Sequence, residues 1–275
     1  MAALALCTLG DLLLDVIVRL EGPLERGTDT AARTRTGAGG QAANVAAWAA
    51  ALGADARFVG KRGDDPAGAL VAGELSGRGV TVLGPTPAGR NGIVVSLVGA
   101  DGDRSMATDR GVAPTLTAEE LDPRWFDGCG HLHLSGYSVM SSPMDGAALR
   151  AAATVRGAGG RVSVDLSSVS VIRTFGVARL RRRLTELAPD VVFANEHERH
   201  EVGDVPGTST WVVKRGAAGC VVEADGSVAE HQARQAEVVD TTGAGDAFAA
   251  GYVVGGVGLA LDAAARCVAQ LGAMP

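Results

Sequence analysis

"VVDTTGAGDAFAAGYV", residues 238–253, joins two valines to a helix-like run through a turn made almost wholly of small residues. Val238 and Val239 read as the end of a buried strand, and residues 247–252 as the start of a helix. Between them, Thr241 to Gly245 would leave several backbone N–H groups without helical partners, at the end where peptide dipoles favour negative charge. Gly243, Ala244 and Gly245 present almost no side chain, so a phosphoryl group can approach the backbone closely. The turn has no lysine, and neither GxxxxGKS nor GxxxxGKT occurs in the chain, so this is not a P-loop. Asp246 stands where the dipole would favour its ionised form. It suits a general base beside an anion hole, and it also suits a plain first-turn acid closing a tight turn.

Working outward, strand-like runs at 4–9, 56–59, 131–134, 162–166, 191–194, 211–213 and 220–223 alternate with helical patterns at 42–52, 67–76, 144–156 and 177–187. Such alternation implies parallel βαβ units with helices on both faces of one sheet. Two regions break the rhythm. Residues 16–36 are strand-like but polar, and 93–98 and 104–108 flank Asp101-Gly102, a hairpin turn pair. These form a small sheet set apart from the main one, a flap or lid.

At 275 residues with 47% hydrophobic content, the chain can bury a large core; with 4% aromatics that core is built from Ala, Val and Leu. A net charge of −6 gives no electrostatic footprint for nucleic acid. Arg179 and Arg181 to Arg183 lie in a leucine-spaced segment and read as a solvated helix face. Cys7, Cys129, Cys220 and Cys267 never form a CxxC pair and read as small buried hydrophobes in a reducing compartment. The apolar N-terminus lacks a basic leader and is interrupted by Asp11 and Asp15, and the uncharged stretch 247–261 is too short for a bilayer. The expectation is a cytoplasmic protein with no membrane or nucleic-acid partner.

The two stretches DTTGAGDAF (240–248) and GAGGQAANVAAWAAALGADARFVGKRGDD (37–65) resemble the two signature regions of the ribokinase-like (PfkB) carbohydrate kinases, and the match runs in order over nearly the whole chain. The resemblance implies an α/β fold: a three-layer α/β/α arrangement with a mostly parallel central sheet and a small β-sheet lid. It implies one kinase domain over 1–275, its lid strands drawn from about 12–36 and 90–110. It makes Asp246 the catalytic base, and the amides of Gly243, Ala244 and Gly245 the anion hole for the migrating phosphoryl group. Asp15, Gly39, Gly40 and Asn44 correspond to residues that hold sugar hydroxyls. Gly39 and Gly40 would let a ligand reach the backbone.

On the nucleotide side, Asn195 and Glu198 match the family's N-x-x-E element near Mg²⁺ and the triphosphate, with Glu198 holding magnesium through water. Lys214, Gly216 and Gly219 fall in the segment that lines ATP, and Asp240 and Thr242 correspond to ligands of a monovalent cation, K⁺ in some relatives. The chain departs from the pattern in places. Gln41-Ala42 replaces a common Lys-Gly, Ser135-Gly136-Tyr137 stands where ribokinases proper carry a glutamate, and the C-terminal segment looks shortened. Arg104 and Arg110, on and just after the lid hairpin, are placed to reach a phosphate or carboxylate on the acceptor, or to sit solvated.

The expected activity is transfer of the γ-phosphoryl of ATP to a hydroxyl of a sugar or sugar derivative. Nucleoside and 2-keto-3-deoxy sugar acid kinases of the same family are the nearest alternatives, and a non-catalytic sugar-binding pseudokinase is another. A homodimer through the lid fits the fold. A dinucleotide site at Gly37 to Ala42 matches GxGxxA, but the polar "AARTRT" before it is not a buried strand.

Overall fold

Buried apolar residues alternate along the short strands, so each strand feeds two different cores. The structure is a computed structural model that describes residues 3–99 and 104–275. Its strands are β1 (Ala5–Leu9), β2 (Leu13–Leu20), β3 (Ala32–Gly39), β4 (Asp55–Val59), β5 (Thr81–Leu83), β6 (Asn91–Val98), β7 (Arg104–Gly111), β8 (His131–Ser135), β9 (Arg161–Asp165), β10 (Val191–Asn195), β11 (Thr210–Lys214), β12 (Cys220–Ala224) and β13 (Ser227–His231). Its helices are α1 (Gln41–Ala51), α2 (Pro66–Gly77), α3 (Gly136–Val139), α4 (Met144–Gly157), α5 (Val169–Phe175), α6 (Val177–Leu187), α7 (Glu196–Val202) and α8 (Ala244–Val268).

The main sheet runs β13-β12-β11-β10-β9-β8-β1-β4-β5, parallel from β11 to β5, with an antiparallel β12–β13 hairpin at one edge. Cys7, Leu9, Leu134 and Val164 point to one side and pack with α4, α5 and α6; Leu6, Phe58, Phe193 and Val212 point to the other and pack with α1, α2 and α8. Three layers follow. All four cysteines are free and buried. A second sheet, ordered β3-β2-β6-β7, pairs β2 with β6 in parallel and its outer strands antiparallel.

The structure corrects several expectations. The strand-like region 16–36 divides into β2 and β3 with an exposed segment between them. Asp101-Gly102 lies outside the described residues, as does the side chain of Arg104. Val238 and Val239 are not a buried strand end: they are 64% and 48% exposed and belong to no strand. Two valines are too short a signal to separate a strand from an apolar surface loop. Helix α8 starts at Ala244, ahead of the expected 247, and runs through the uncharged stretch to a length and hydropathy that would suit a bilayer. Its backbone leaves the helical region at Gly255 and Gly256, however, and Ala247, Ala249, Ala250 and Ala263 are buried in the core against α1.

Small residues on both α1 and α8 let these helices approach closely, and the C-terminal segment closes over their contact. Trp48 of α1 is fully buried, and its Nε1 donates to the Ala273 carbonyl at 2.8 Å. Replacing it with phenylalanine leaves that carbonyl unpartnered and a gap beside it. Trp48→Phe is expected to cost about 1–3 kcal/mol, read as a lower urea midpoint at unchanged m-value; an unchanged midpoint would show that the C-terminal brace contributes nothing.

Candidate active site

The close α1–α8 contact carries chemistry at its top. Gln41 and Asn44, one helical turn apart at the start of α1, share a face and meet Asp246 in the first turn of α8. Asn44 Nδ2 donates to Asp246 Oδ2 at 2.7 Å, and the Gln41 amide hydrogen-bonds the same carboxylate. Asp246 is partly buried, and burial raises its pKa from the ordinary 3.8 to about 7, with the nearby Asp165 raising it further. The Asn44 and Gln41 hydrogen bonds and Lys214 pull the other way without reversing the shift. This corrects the expectation that the helix dipole dominates. Desolvation of a carboxylate outweighs a terminal dipole, which falls off within a turn. The result is a carboxyl poised near neutrality, where a general base works best.

Asp165, at the end of β9 and 1% exposed, was not singled out in the sequence. Its Oδ2 accepts from Lys214 Nζ at 2.5 Å, and its Oδ1 accepts from Ser167 N at 3.1 Å. Ser167 holds a left-handed φ of 69°, a strained choice for a residue other than glycine. Its hydroxyl also donates to Gln41 Oε1, so one turn orients both the carboxylate and the amide. Burial opposes the charge on Lys214, but Asp165, Glu198 and Asp246 outweigh it and its pKa is raised. Lys214 also lies against the turn: a Cβ built on Gly245 would stand 3.2 Å from its Nζ.

Asn195 and Glu198 close on each other as a reciprocal cap of α7. Glu198 N donates to Asn195 Oδ1 at 2.9 Å, while Asn195 N and Nδ2 donate to Glu198 Oε2 and Oε1 at 2.8 and 2.9 Å. Glu198 is buried, and burial with the Asp165 charge raises its pKa. The cap explains the N-x-x-E spacing by itself.

In the turn, the amides of Gly243, Gly245 and Asp246 find no acceptor among the described residues, whereas Ala244 N is turned to the Thr241 carbonyl at 3.3 Å. Gly243 has φ 77°, and a Cβ there would stand 2.6 Å from the Ala273 Cα, so only glycine fits. Asp240 braces the turn from behind: Oδ1 accepts from Thr242 N and Oγ1 at 2.9 and 2.6 Å, and Oδ2 accepts from Gly272 N at 3.0 Å. Among the described residues no group of three or more His, Cys, Asp or Glu is arranged to hold a metal. The buried Glu198 carboxylate therefore fits a magnesium ion only through water and the phosphates it accompanies.

On the second sheet, the Asp15 carboxylate lies directly on Gly39, where a Cβ would stand 2.2 Å from Oδ2. Gly40, with φ 102°, leaves room for the Asp11 carbonyl at 2.3 Å from its missing Cβ. The glycine pair thus makes space for the chain's own 11–15 segment, not for a ligand as expected. Gly219 is likewise filled by the His231 carbonyl, whereas Gly216 faces open space. A cavity of about 540 Å³ opens beside β2 and β3, lined by Ile17, Arg19, Arg33, Arg35, Asp240 and Thr241 among others.

With this geometry in hand, residues 4–274 match the model of the pfkB family carbohydrate kinases. The chain belongs to the PfkB family. It is 34% identical over 269 residues to an ATP-dependent ribose-1-phosphate kinase of Halopiger xanaduensis, covering 92% of this chain and 86% of that one. It is 32% identical over 243 residues to a fructokinase of Escherichia coli, covering 82% and 79%. The adenosine kinase structure from Sinorhizobium meliloti superimposes with a TM-score of 0.88 at 23% identity, covering all of this chain and 96% of that one. This chain is a sugar or nucleoside kinase of the PfkB family, a phosphotransferase with an alcohol acceptor.

The Asn44 hydrogen bond favours the ionised Asp246. The acid limb of kcat/KM is expected to fall tenfold per pH unit below a midpoint near 7, and Asn44→Ala to move that midpoint to higher pH. A pH–rate profile with the same midpoint in both proteins would assign the limb to another group.

Proposed function

We propose that this PfkB kinase transfers the γ-phosphoryl of ATP to a primary hydroxyl of a sugar or sugar derivative, with Asp246 as general base. The observation that carries this reading is the carboxyl poised near pH 7 beside a helix-terminal turn with unpartnered amides and an ammonium group. As the acceptor oxygen attacks the γ-phosphorus, its proton passes to Asp246 and the bond to the β,γ-bridging oxygen breaks, releasing ADP. The amides of Gly243 and Gly245 point at charge that develops on the equatorial oxygens, and Ala244 N joins them by releasing a long hydrogen bond to Thr241. Lys214, held by Asp165, meets the same charge from the β11 side.

Mg²⁺ arriving with ATP would neutralise the phosphates, with Glu198 reaching it through water and Asn195 fixing that carboxylate. Gly216, open to solvent, is the nucleotide-facing member of its loop, and Gly219 shapes the loop behind it. Asp15, resting on Gly39, accepts from acceptor hydroxyls, and the second sheet serves as the lid of a single kinase unit. Asn44 and Gly40 act one step back: Asn44 sets the base, and Gly40 lets the 11–15 segment approach. A monovalent cation at Asp240 and Thr242 would reinforce a brace that the chain already makes to Gly272.

The ribose-1-phosphate kinase relative makes a pentose derivative the first acceptor to try, and the fructokinase makes fructose the second. A panel of both with nucleosides and Mg-ATP is expected to give turnover on at least one sugar. Asp246→Asn is expected to lose roughly 10²–10⁴-fold in kcat. The same variant has a second signature. Asp246 holds its proton more tightly folded than unfolded, so its contribution to stability falls as pH rises from about 4 through about 7. At pH 8 the asparagine variant should therefore melt above the wild type. Near-normal turnover in the variant would contradict the general-base role.

A further inference from the structure

Arg110 is the guanidinium held most firmly near the catalytic cluster, and a neutral sugar has no use for it. On the second sheet Asp15, Val94 and Thr108 stand in one cross-strand row, and Arg110 lies two residues beyond Thr108 on β7, so it shares the face that carries Asp15. Its Nε donates to Asp11 Oδ2 at 2.7 Å, and Nη2 lies 2.7 Å from the same oxygen. Among the described residues Nη1 has no hydrogen-bond partner, and the side chain is 23% exposed. Asp11 itself is only 6% exposed, so the arginine is oriented by a buried carboxylate. The guanidinium carbon stands 5.6 Å from the centre of the Tyr137 ring. The Tyr137 hydroxyl in turn feels Asp246, Arg110, Glu198 and Asp11, which places the arginine at the same cluster as the base.

The other basic groups on this face are held differently. Arg35 is exposed and donates to the Leu271 carbonyl at 3.2 Å, and Arg33 pairs with Glu21 on the surface. The acceptor end otherwise collects carboxylates: Asp11, Asp15 and Asp246. A charged acceptor would be repelled there unless one cation received it, and a guanidinium fixed along one edge with its other nitrogen free is shaped for an oxyanion.

We propose that Arg110 determines acceptor specificity by binding an oxyanion on the sugar, a phosphate monoester remote from the hydroxyl that is phosphorylated. This rests on the kinase reading above and names its substrate class. Asp11 is the positioning residue behind Arg110. A carboxylate on a sugar acid shares the chemistry and is separated by the test.

The test compares wild type, Arg110→Gln, Arg110→Lys and Arg35→Gln on ribose 1-phosphate, ribose and 2-keto-3-deoxygluconate. It measures kcat/KM with Mg-ATP, and binding of each acceptor by calorimetry without ATP. In the wild type a charged acceptor should be preferred to ribose. Arg110→Gln should cut that preference by roughly 10–100-fold, the size of a lost charge-assisted contact, mainly through KM. Arg110→Lys should recover part of it, and Arg35→Gln should leave it in place. Preference for the sugar acid with the same dependence on Arg110 would support the oxyanion site and name carboxylate as its ligand.

An unchanged preference in Arg110→Gln would overturn the proposal. So would a parallel fall on all acceptors, as for a plain tie between the sheets, or a loss that follows Arg35. If no acceptor is turned over, the kinase reading fails, while calorimetry still decides Arg110. A charged acceptor bound more tightly than ribose, with the difference removed in Arg110→Gln, supports the site; equal binding sinks it. If Arg110→Gln does not fold, Arg110→Lys carries the comparison: a weakened preference supports the site, and an unaltered one overturns it.

Discussion

The burial of Asp246 is the constraint on which the rest of the site depends. A carboxyl at a helix N-terminus in water would be an ordinary surface acid. Here the close approach of two alanine-rich helices and the carboxyl ends of β9, β10 and β11 take it out of water, and its pKa climbs to about 7. Burial of that kind is costly unless each neighbour is satisfied. The Asp165–Lys214 pair, the Asn195–Glu198 cap and the Ser167 turn supply that satisfaction with short, specific contacts. The same contacts leave several turn amides free. Stability is spent to keep one base near neutrality and a few donors unpaired.

The main sheet explains why these groups meet. In an open α/β sheet the carboxyl ends of parallel strands face one crevice, and side chains at those ends converge from segments far apart in sequence. Ser135, Asp165, Asn195 and Lys214 are the last residues of four such strands. The antiparallel hairpin β12–β13 stands at the edge beyond them, and its own side chains are largely exposed. The C-terminal segment adds the final restraint: Ala273 fills the space that Gly243 leaves, and Gly272 ties to Asp240.

Much of this could be read from residues alone, for identifiable reasons. The helices α1, α2, α4 and α6 carry strong periodic or alanine-rich signals with glycine near their ends, and the central strands are short apolar runs. The turn at 241–246 was legible because small residues before an acid have few other uses. What failed had weak local signals. β13 is exposed along almost its whole length, so no alternation marks it, and Val238-Val239 gave an apolar signal without a partner strand. Asp165 escaped because a single acid at a strand end looks like a terminus; its position at the carboxyl edge of a parallel sheet was the clue available. The roles of Gly39 and Gly40 were misjudged because sequence shows that a side chain is missing, and not which atoms fill the space.

The most direct measurement is a structure of the complex with ADP, an aluminium fluoride mimic of the migrating group, and a sugar that is turned over. The account predicts the acceptor oxygen within about 3 Å of an Asp246 oxygen. It also predicts fluorides within about 3 Å of the Gly243 and Gly245 amide nitrogens. An acceptor oxygen held by some other base, with Asp246 still closed on Asn44 and the turn amides facing solvent, would contradict it.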